Sequence, residues 1–292
     1  MGKRPGLKYA ALQRLDSLMA IGEKRAEAKA EAQRQGESLF AFTDGKIHSY
    51  ETRHNYQQIV MRFLDWCREI HEIHDLTIMD AHADELASLY LAERVEKGYS
   101  AWTLQTERSA LRLFFQDRTL TTSVVLPQRK RENIVRSRHA VVRDQHFQAE
   151  NWQPLIHFCL ACGLRRAELR DLLAGQVYVR NSDQQLIVLV TKGKGGKRRE
   201  VPVFPGREQD VLVLVKDRDP GEHVFDHLPG NADIHKYRRQ FAQELYEILS
   251  GHPLPPPEGR LHSSELDQDV ALQVSRCLGH NRLDIMFAHY LR

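Results

Sequence analysis

A basic stretch that opens on a proline, Pro127 to Arg143, divides the 292 residues into two parts of different texture, which predicts two domains rather than one core. It carries Arg129, Lys130, Arg131, Arg136, Arg138 and Arg143 against the single acid Glu132. Over the whole chain, 42 Lys and Arg face 39 Asp and Glu, and a net charge of +3 by itself says little about nucleic acid. The distribution says more: a concentrated basic seam reads as an interdomain linker that meets phosphate.

No apolar run approaches the ~18 residues of a membrane span, so no membrane partner is expected. The basic N-terminus lacks the apolar stretch of a secretory signal, and the expected location is cytoplasmic. The four cysteines read as reduced thiols. Cys159-x-x-Cys162 lies in an apolar helical run with no second Cys/His pair at finger spacing, so buried packing is expected rather than a metal, and His71 and His74 read as solvated.

Residues 1–46 read as a basic helical arm, with Leu12, Leu15, Leu18 and Met19 at helical spacing, either solvated or tracking DNA or a partner. Residues 47–126 carry three helices, for which Ser49, Thr77 and Ser100 are the candidate starts. On the third, Leu104, Leu111, Phe114 and Phe115 turn inward and leave Thr103, Gln105, Arg108 and Arg112 outward, a basic face for DNA. Residues 127–143 are the linker and 144–292 the second domain. There, helices from Trp152 to Cys162 and on through Leu173 precede strands at 176–179, 186–191 and 199–203. Further helices begin near Glu208, at Ile234, at Asp267 and at Leu283, and 251–259 is a surface loop. The fold class is mostly α with a small antiparallel β-sheet.

Three pieces bear chemistry, each weak alone. His235 and Arg238 share a helix face that continues through Phe241, Leu245 and Ile248, and an arginine at the edge of a buried face needs an anionic partner. Arg165 follows the helix-stopping Gly163, and Glu168, one turn on, can orient a neighbouring cation; a guanidinium fork suits phosphate oxygens. Lys194 sits at a hairpin tip among Gly193, Gly195 and Gly196, with Lys197 behind it, where a basic tip can enter a nucleic-acid groove.

Taken in order, Gly163-Leu164-Arg165-Arg166-x-Glu168-Leu169, Gly193-Lys194-Gly195, His235-x-x-Arg238, Leu278-Gly279-His280 and the late Tyr290 resemble the tyrosine recombinase (phage integrase) family. The resemblance covers about residues 47–292. It implies a helical SAM-like core-binding domain and a catalytic domain closing as a clamp on duplex DNA at specific sites. The implied enzyme cuts and rejoins strands through a 3'-phosphotyrosyl intermediate, leading to integration, excision or resolution. Arg165 and Arg238 would clamp the scissile phosphate, Tyr290 attack it and Lys194 protonate the departing 5'-oxygen. His235 would serve as acid/base at the tyrosine hydroxyl, and His280 would hydrogen-bond the phosphate or that hydroxyl. Because the covalent link conserves the phosphodiester, neither ATP nor a metal is implied. Self-association on DNA as dimer to tetramer, an accessory DNA-bending factor and a place at the bacterial nucleoid also follow from the resemblance. Two rival readings share the scaffold: a DNA-binding regulator without catalysis, and a type IB topoisomerase.

The chain departs from the family pattern in three places. Tyr290 stands ten positions after His280, where nine is usual and where His289 stands; an extra residue between Asn281 and Asp284 is the expected accommodation. The stretch from Arg238 to His280 is longer than usual, consistent with a loop inserted around 251–266. With Arg292 last, no helix follows the tyrosine to dock on a neighbouring subunit, so assembly would use another element such as the N-terminal arm, or the chain is shortened.

Overall fold

The computed structural model describes residues 6–23, 25–36, 42–130, 146–194, 196–255 and 263–291. The chain divides into two compact units, Met1–Asn133 and Ile134–Arg292. Among the described residues, no helix is long and apolar enough to cross a membrane.

Among the described residues, the first unit is helical apart from an isolated bridge between Met19 and Ile47: α1 (Leu7–Ser17), α2 (Arg25–Arg34), α3 (Tyr50–His71), α4 (Leu76–Ala81), α5 (Ala83–Glu96) and α6 (Ala101–Phe114). Ser49 and Ser100 cap α3 and α6 as expected, accepting from the backbone N–H of Thr52 and Thr103. The expected second helix is two. Asp75, not Thr77, caps α4, and the chain breaks at His82 so that α4 packs on α1 while α5 packs on α3 and α6. Helix α1 is not detached. Ala11 and Leu15 of α1 are fully buried in the same core as Phe63, Leu64 and Leu104. Arg14 holds Asp80 at 2.6 Å, and the Ile47 N–H donates to the Leu18 carbonyl at 2.8 Å. An amphipathic stripe predicts that a helix is covered, not what covers it.

In the second unit, α7 (Gln153–Cys162) and α8 (Arg166–Arg170) precede β1 (Val177–Val179), β2 (Leu186–Val190) and β3 (Arg199–Pro202); α9 (Glu208–Val215), α10 (Ile234–Ser250), α11 (Gln268–Cys277) and α12 (Leu283–Ile285) follow. The strands form an antiparallel sheet in the order β1-β2-β3, with Val188 opposite both Val177 and Val201. The second helix ends at Arg170 instead of running through Leu173, because Leu173 forms a bridge with His223. Cys159 and Cys162 are buried on α7, and burial pushes both thiols up, Cys159 to about 12. Among the described residues, no group of three His, Cys, Asp or Glu could hold a metal. Of the expected loop after α10, residues 256–262 lie outside the described residues.

Gly163 fixes how α7, α8 and α10 meet. Its φ is +57°, and a Cβ there would lie 2.3 Å from Phe241 Cδ1 on α10. The missing side chain lets Phe241 seat against the α7–α8 turn, which brings Arg238, one helical turn earlier on α10, to the start of α8. Gly163→Ala combines left-handed strain with overpacking and is expected to cost about 2–4 kcal/mol. A thermal melt within 1 °C of wild type would contradict this packing account.

Candidate active site

The site is built where four element ends converge in the second unit. Arg165, with extended backbone, is the N-cap of α8, and its own N–H donates to Glu168 Oε2 at 2.9 Å while its Nη1 donates to Oε1 at 2.8 Å. Glu168 is buried, and burial alone would raise its carboxyl. Two hydrogen bonds and the charge of Arg199, together with those from Arg165, reverse this and hold it down to about 2.

Arg238 is 1% exposed, the largest fully buried side chain of the described residues. Its Nη1 donates to the Gly163 carbonyl, Nη2 to the Leu278 carbonyl at 2.6 Å, and Nε to Tyr290 Oη at 3.1 Å. Burial and the nearby Arg165 lower its pKa to about 10, which leaves it charged at neutral pH. Almost all of its donors are committed, so the guanidinium is fixed in place by folding.

His280 follows Gly279, whose φ of +71° ends α11. Its Nε2 lies 3.2 Å from Arg165 Nη2, 3.3 Å from Arg238 Nη2 and 3.1 Å from Tyr290 Oη. Burial first, then Arg238, Arg165, His235 and Lys194, push its pKa to about 4. The imidazole is therefore neutral near pH 7. Two guanidinium donors at Nε2 make that nitrogen an acceptor and place the ring proton on Nδ1.

Tyr290 is 3% exposed. Its hydroxyl accepts from Arg238 Nε at 3.1 Å and lies 3.1 Å from His280 Nε2, which as an acceptor can take the tyrosine proton. The ten-residue interval is met by a π-helical turn, Met286–Tyr290, closed by the Leu291 N–H on the Met286 carbonyl at 3.0 Å. Asn281 does turn left-handed, at φ +55°, but the extra residue is taken up later than expected, in the wider π turn.

The remaining expected residues are placed as follows. His235, on the first turn of α10, stands edge-on to Tyr290 with ring centroids 5.4 Å apart, and no hydrogen bond joins it to the tyrosine hydroxyl. Burial and the Arg238 charge lower its pKa. It lines, with Arg165, Arg166, Asp233 and Arg238, a cavity of about 230 Å³ beside the tyrosine. Lys194 is exposed at its hairpin tip, close enough for its charge to act on His280. Lys197, Arg129 and Lys130 are exposed; Arg131, Arg136 and Arg138 lie outside the described residues.

Arg108 and Arg112 do not project freely from α6. They are half-buried and donate to the carbonyls of Val124 and Leu120, capping the segment that follows the helix.

With this geometry in hand, residues 44–119 match the family described as phage integrase, N-terminal SAM-like domain. A solved structure of the XerH site-specific recombinase bound to palindromic difH substrate, a post-cleavage complex, is similar over 95% of this chain and 88% of that one, at 15% identity and a TM-score of 0.51. A pre-cleavage complex of XerH with difH substrate is similar over 99% and 95%, at 14% identity and a TM-score of 0.48. Residues 44–119 thus carry a phage integrase N-terminal SAM-like domain, and the chain shares its fold with the XerH recombinase.

Within this recombinase fold, sequence reasoning missed Arg199. It donates to both oxygens of Glu168, at 2.8 and 2.7 Å, and through Nε to the Cys277 carbonyl at 2.9 Å. The available signal was strand parity. Arg199 and Val201 share a face of β3, Val201 is fully buried, and an arginine on a core-facing position requires a buried acid.

The site also sets a pH dependence. A histidine whose folded pKa is about 4 binds a proton less readily than in the unfolded chain, where it titrates near ~6.5. Stability from this group is full above that range and declines as pH falls from about 6.5 to about 4. His280→Gln is expected to remove that part of the decline, read by denaturant titrations at several pH values; parallel curves for the two proteins would contradict the assignment.

Proposed function

We propose that this chain is a tyrosine recombinase, a site-specific DNA strand-exchange enzyme with Tyr290 as its nucleophile. The carrying observation is the Tyr290 hydroxyl held between Arg238 Nε and the acceptor Nε2 of His280, with Arg165 on the same imidazole.

In the proposed step, a DNA phosphate enters beside Arg165, Arg238 and His235. Tyr290 Oη attacks phosphorus as its proton passes to His280 Nε2, the bond from phosphorus to the 5'-oxygen breaks, and Lys194 gives that oxygen a proton. A 3'-phosphotyrosyl link and a free 5'-hydroxyl result. Attack by a 5'-hydroxyl from another strand reverses the step and rejoins the DNA. His280 is a poor base while two unneutralised guanidiniums face it. The phosphate that they bind cancels much of that field, so substrate itself raises the basicity of the group that must take the proton. Geometry favours His280 over His235 for this role, and His235 is assigned to a phosphate oxygen at the cavity.

DNA affinity is assigned largely to the linker and hairpin cations. Neutralising Arg129, Lys130, Arg131, Arg136 and Arg138 together is expected to flatten the plot of log affinity against log salt by about 4.5, from about 0.9 per phosphate contact. An unchanged slope would remove the linker from the phosphate interface.

The test of the main reading is a pool of duplexes enriched by binding to the protein, nicked so that the released 5' fragment diffuses away. A protein–DNA adduct that survives denaturation is expected. Binding without an adduct would favour a regulator, and relaxation of supercoiled DNA by monomer without site preference would favour a topoisomerase.

A further inference from the structure

We propose that Arg199 is a positioning residue for the proposed cleavage, supplying the counter-charge to Glu168 so that the charge of Arg165 remains available to the scissile phosphate. This rests on the phosphate-clamp reading above.

The Glu168 side chain is 2% exposed and accepts from four donors, two on Arg165 and two on Arg199. With Arg165 alone, that buried carboxylate would form a neutral pair, and a guanidinium already neutralised offers little to a developing oxyanion. The second arginine makes the trio net positive, with Arg165 the member that reaches His280 Nε2 at 3.2 Å. Arg199 itself is 11% exposed in its side chain and, among the described residues, its hydrogen bonds go to Glu168 and the Cys277 carbonyl, so it does not compete for substrate.

Two glycines leave room for this bridge. A Cβ on Gly193, beside Lys194, would lie 2.9 Å from Arg199 Nη1, and one on Gly279, beside His280, 3.1 Å from Arg199 Cδ. The segments carrying Lys194, Arg165 and His280 thus pack around one guanidinium. The bidentate fork also fixes the plane of the Glu168 carboxylate, and through it the Arg165 side chain.

The experiment measures single-turnover cleavage of the nicked duplex by wild type, Arg199→Met and Arg199→Met/Glu168→Gln, with thermal melts of each. Wild-type adduct formation is the control for the phosphate-clamp reading; its absence would strike that reading and not this one. Given wild-type cleavage, Arg199→Met is expected to slow the step about 10²-fold. Removing the carboxylate charge as well should recover at least about tenfold, because Arg165 is then no longer neutralised. A bridge that merely held the fold would lose more, not less, in the double variant. Should Arg199→Met fail to fold because it leaves a buried carboxylate half-paired, the double variant decides alone: a rate within about tenfold of wild type supports the proposal, and one as slow as Arg165→Ala overturns it. A methylphosphonate at the scissile position, which carries less charge for Arg165 to stabilise, adds a second readout. Arg199→Met should slow its cleavage by less than about threefold, and an undiminished loss there would also overturn the proposal.

Discussion

Tyr290→Phe is expected to abolish the covalent adduct, by at least about 10⁴-fold, while DNA affinity stays within about twofold. The substitution removes one oxygen and keeps a ring that is 3% exposed and packed against His235 and His280, so the surrounding structure has little reason to move. It does leave Arg238 Nε without its 3.1 Å acceptor, a cost of about 1–3 kcal/mol that a melt will register. The informative companion is His289→Tyr in the Tyr290→Phe background. It restores a tyrosine nine positions after His280, but the π turn gives the pocket to residue 290, and no cleavage should return. Recovery of an adduct in the double variant would show that residue count from His280, rather than helical register, selects the nucleophile.

Arg165→Ala should lower the cleavage rate by about 10³- to 10⁵-fold with a far smaller change in binding, since a fixed cation is most effective where charge builds in the transition state. Arg238→Lys should fall by a similar factor despite keeping a cation. A lysine cannot donate simultaneously to the Gly163 and Leu278 carbonyls and to Tyr290, which the buried guanidinium does. Both should lower the melting temperature, Arg165→Ala by less because Glu168 keeps both hydrogen bonds from Arg199, and Arg238→Lys by several degrees. Weaker binding in proportion to the lost rate would assign these arginines to docking DNA rather than to the chemical step.

Much of this site was legible before folding because its parts sit at punctuated element ends. Gly163 announces the end of α7, His235 and Arg238 share a helix face by spacing alone, and Gly279 announces the turn before His280. The capping serines and the three strands were likewise local signals. What escaped depends on partners distant in sequence. Arg199 and Glu168 are 31 positions apart, and nothing in a basic hairpin separates the arginine that turns inward from the neighbours that face water. Arg108 and Arg112 looked outward by periodicity, yet long side chains fold back when nearby carbonyls lack donors. The docking of α1 on α3 and α4 is of the same kind.

The wide turn at Met286–Tyr290 has one more consequence. Successive residues of an α-helix are turned by about 100°, so relaxing this turn to the ordinary pitch would swing Tyr290 off Arg238 and His280 and carry His289 toward them. The Leu291 N–H would then exchange the Met286 carbonyl for that of Phe287. Which residue faces the two arginines is thus a matter of winding, a one-residue slip over Met286–Tyr290.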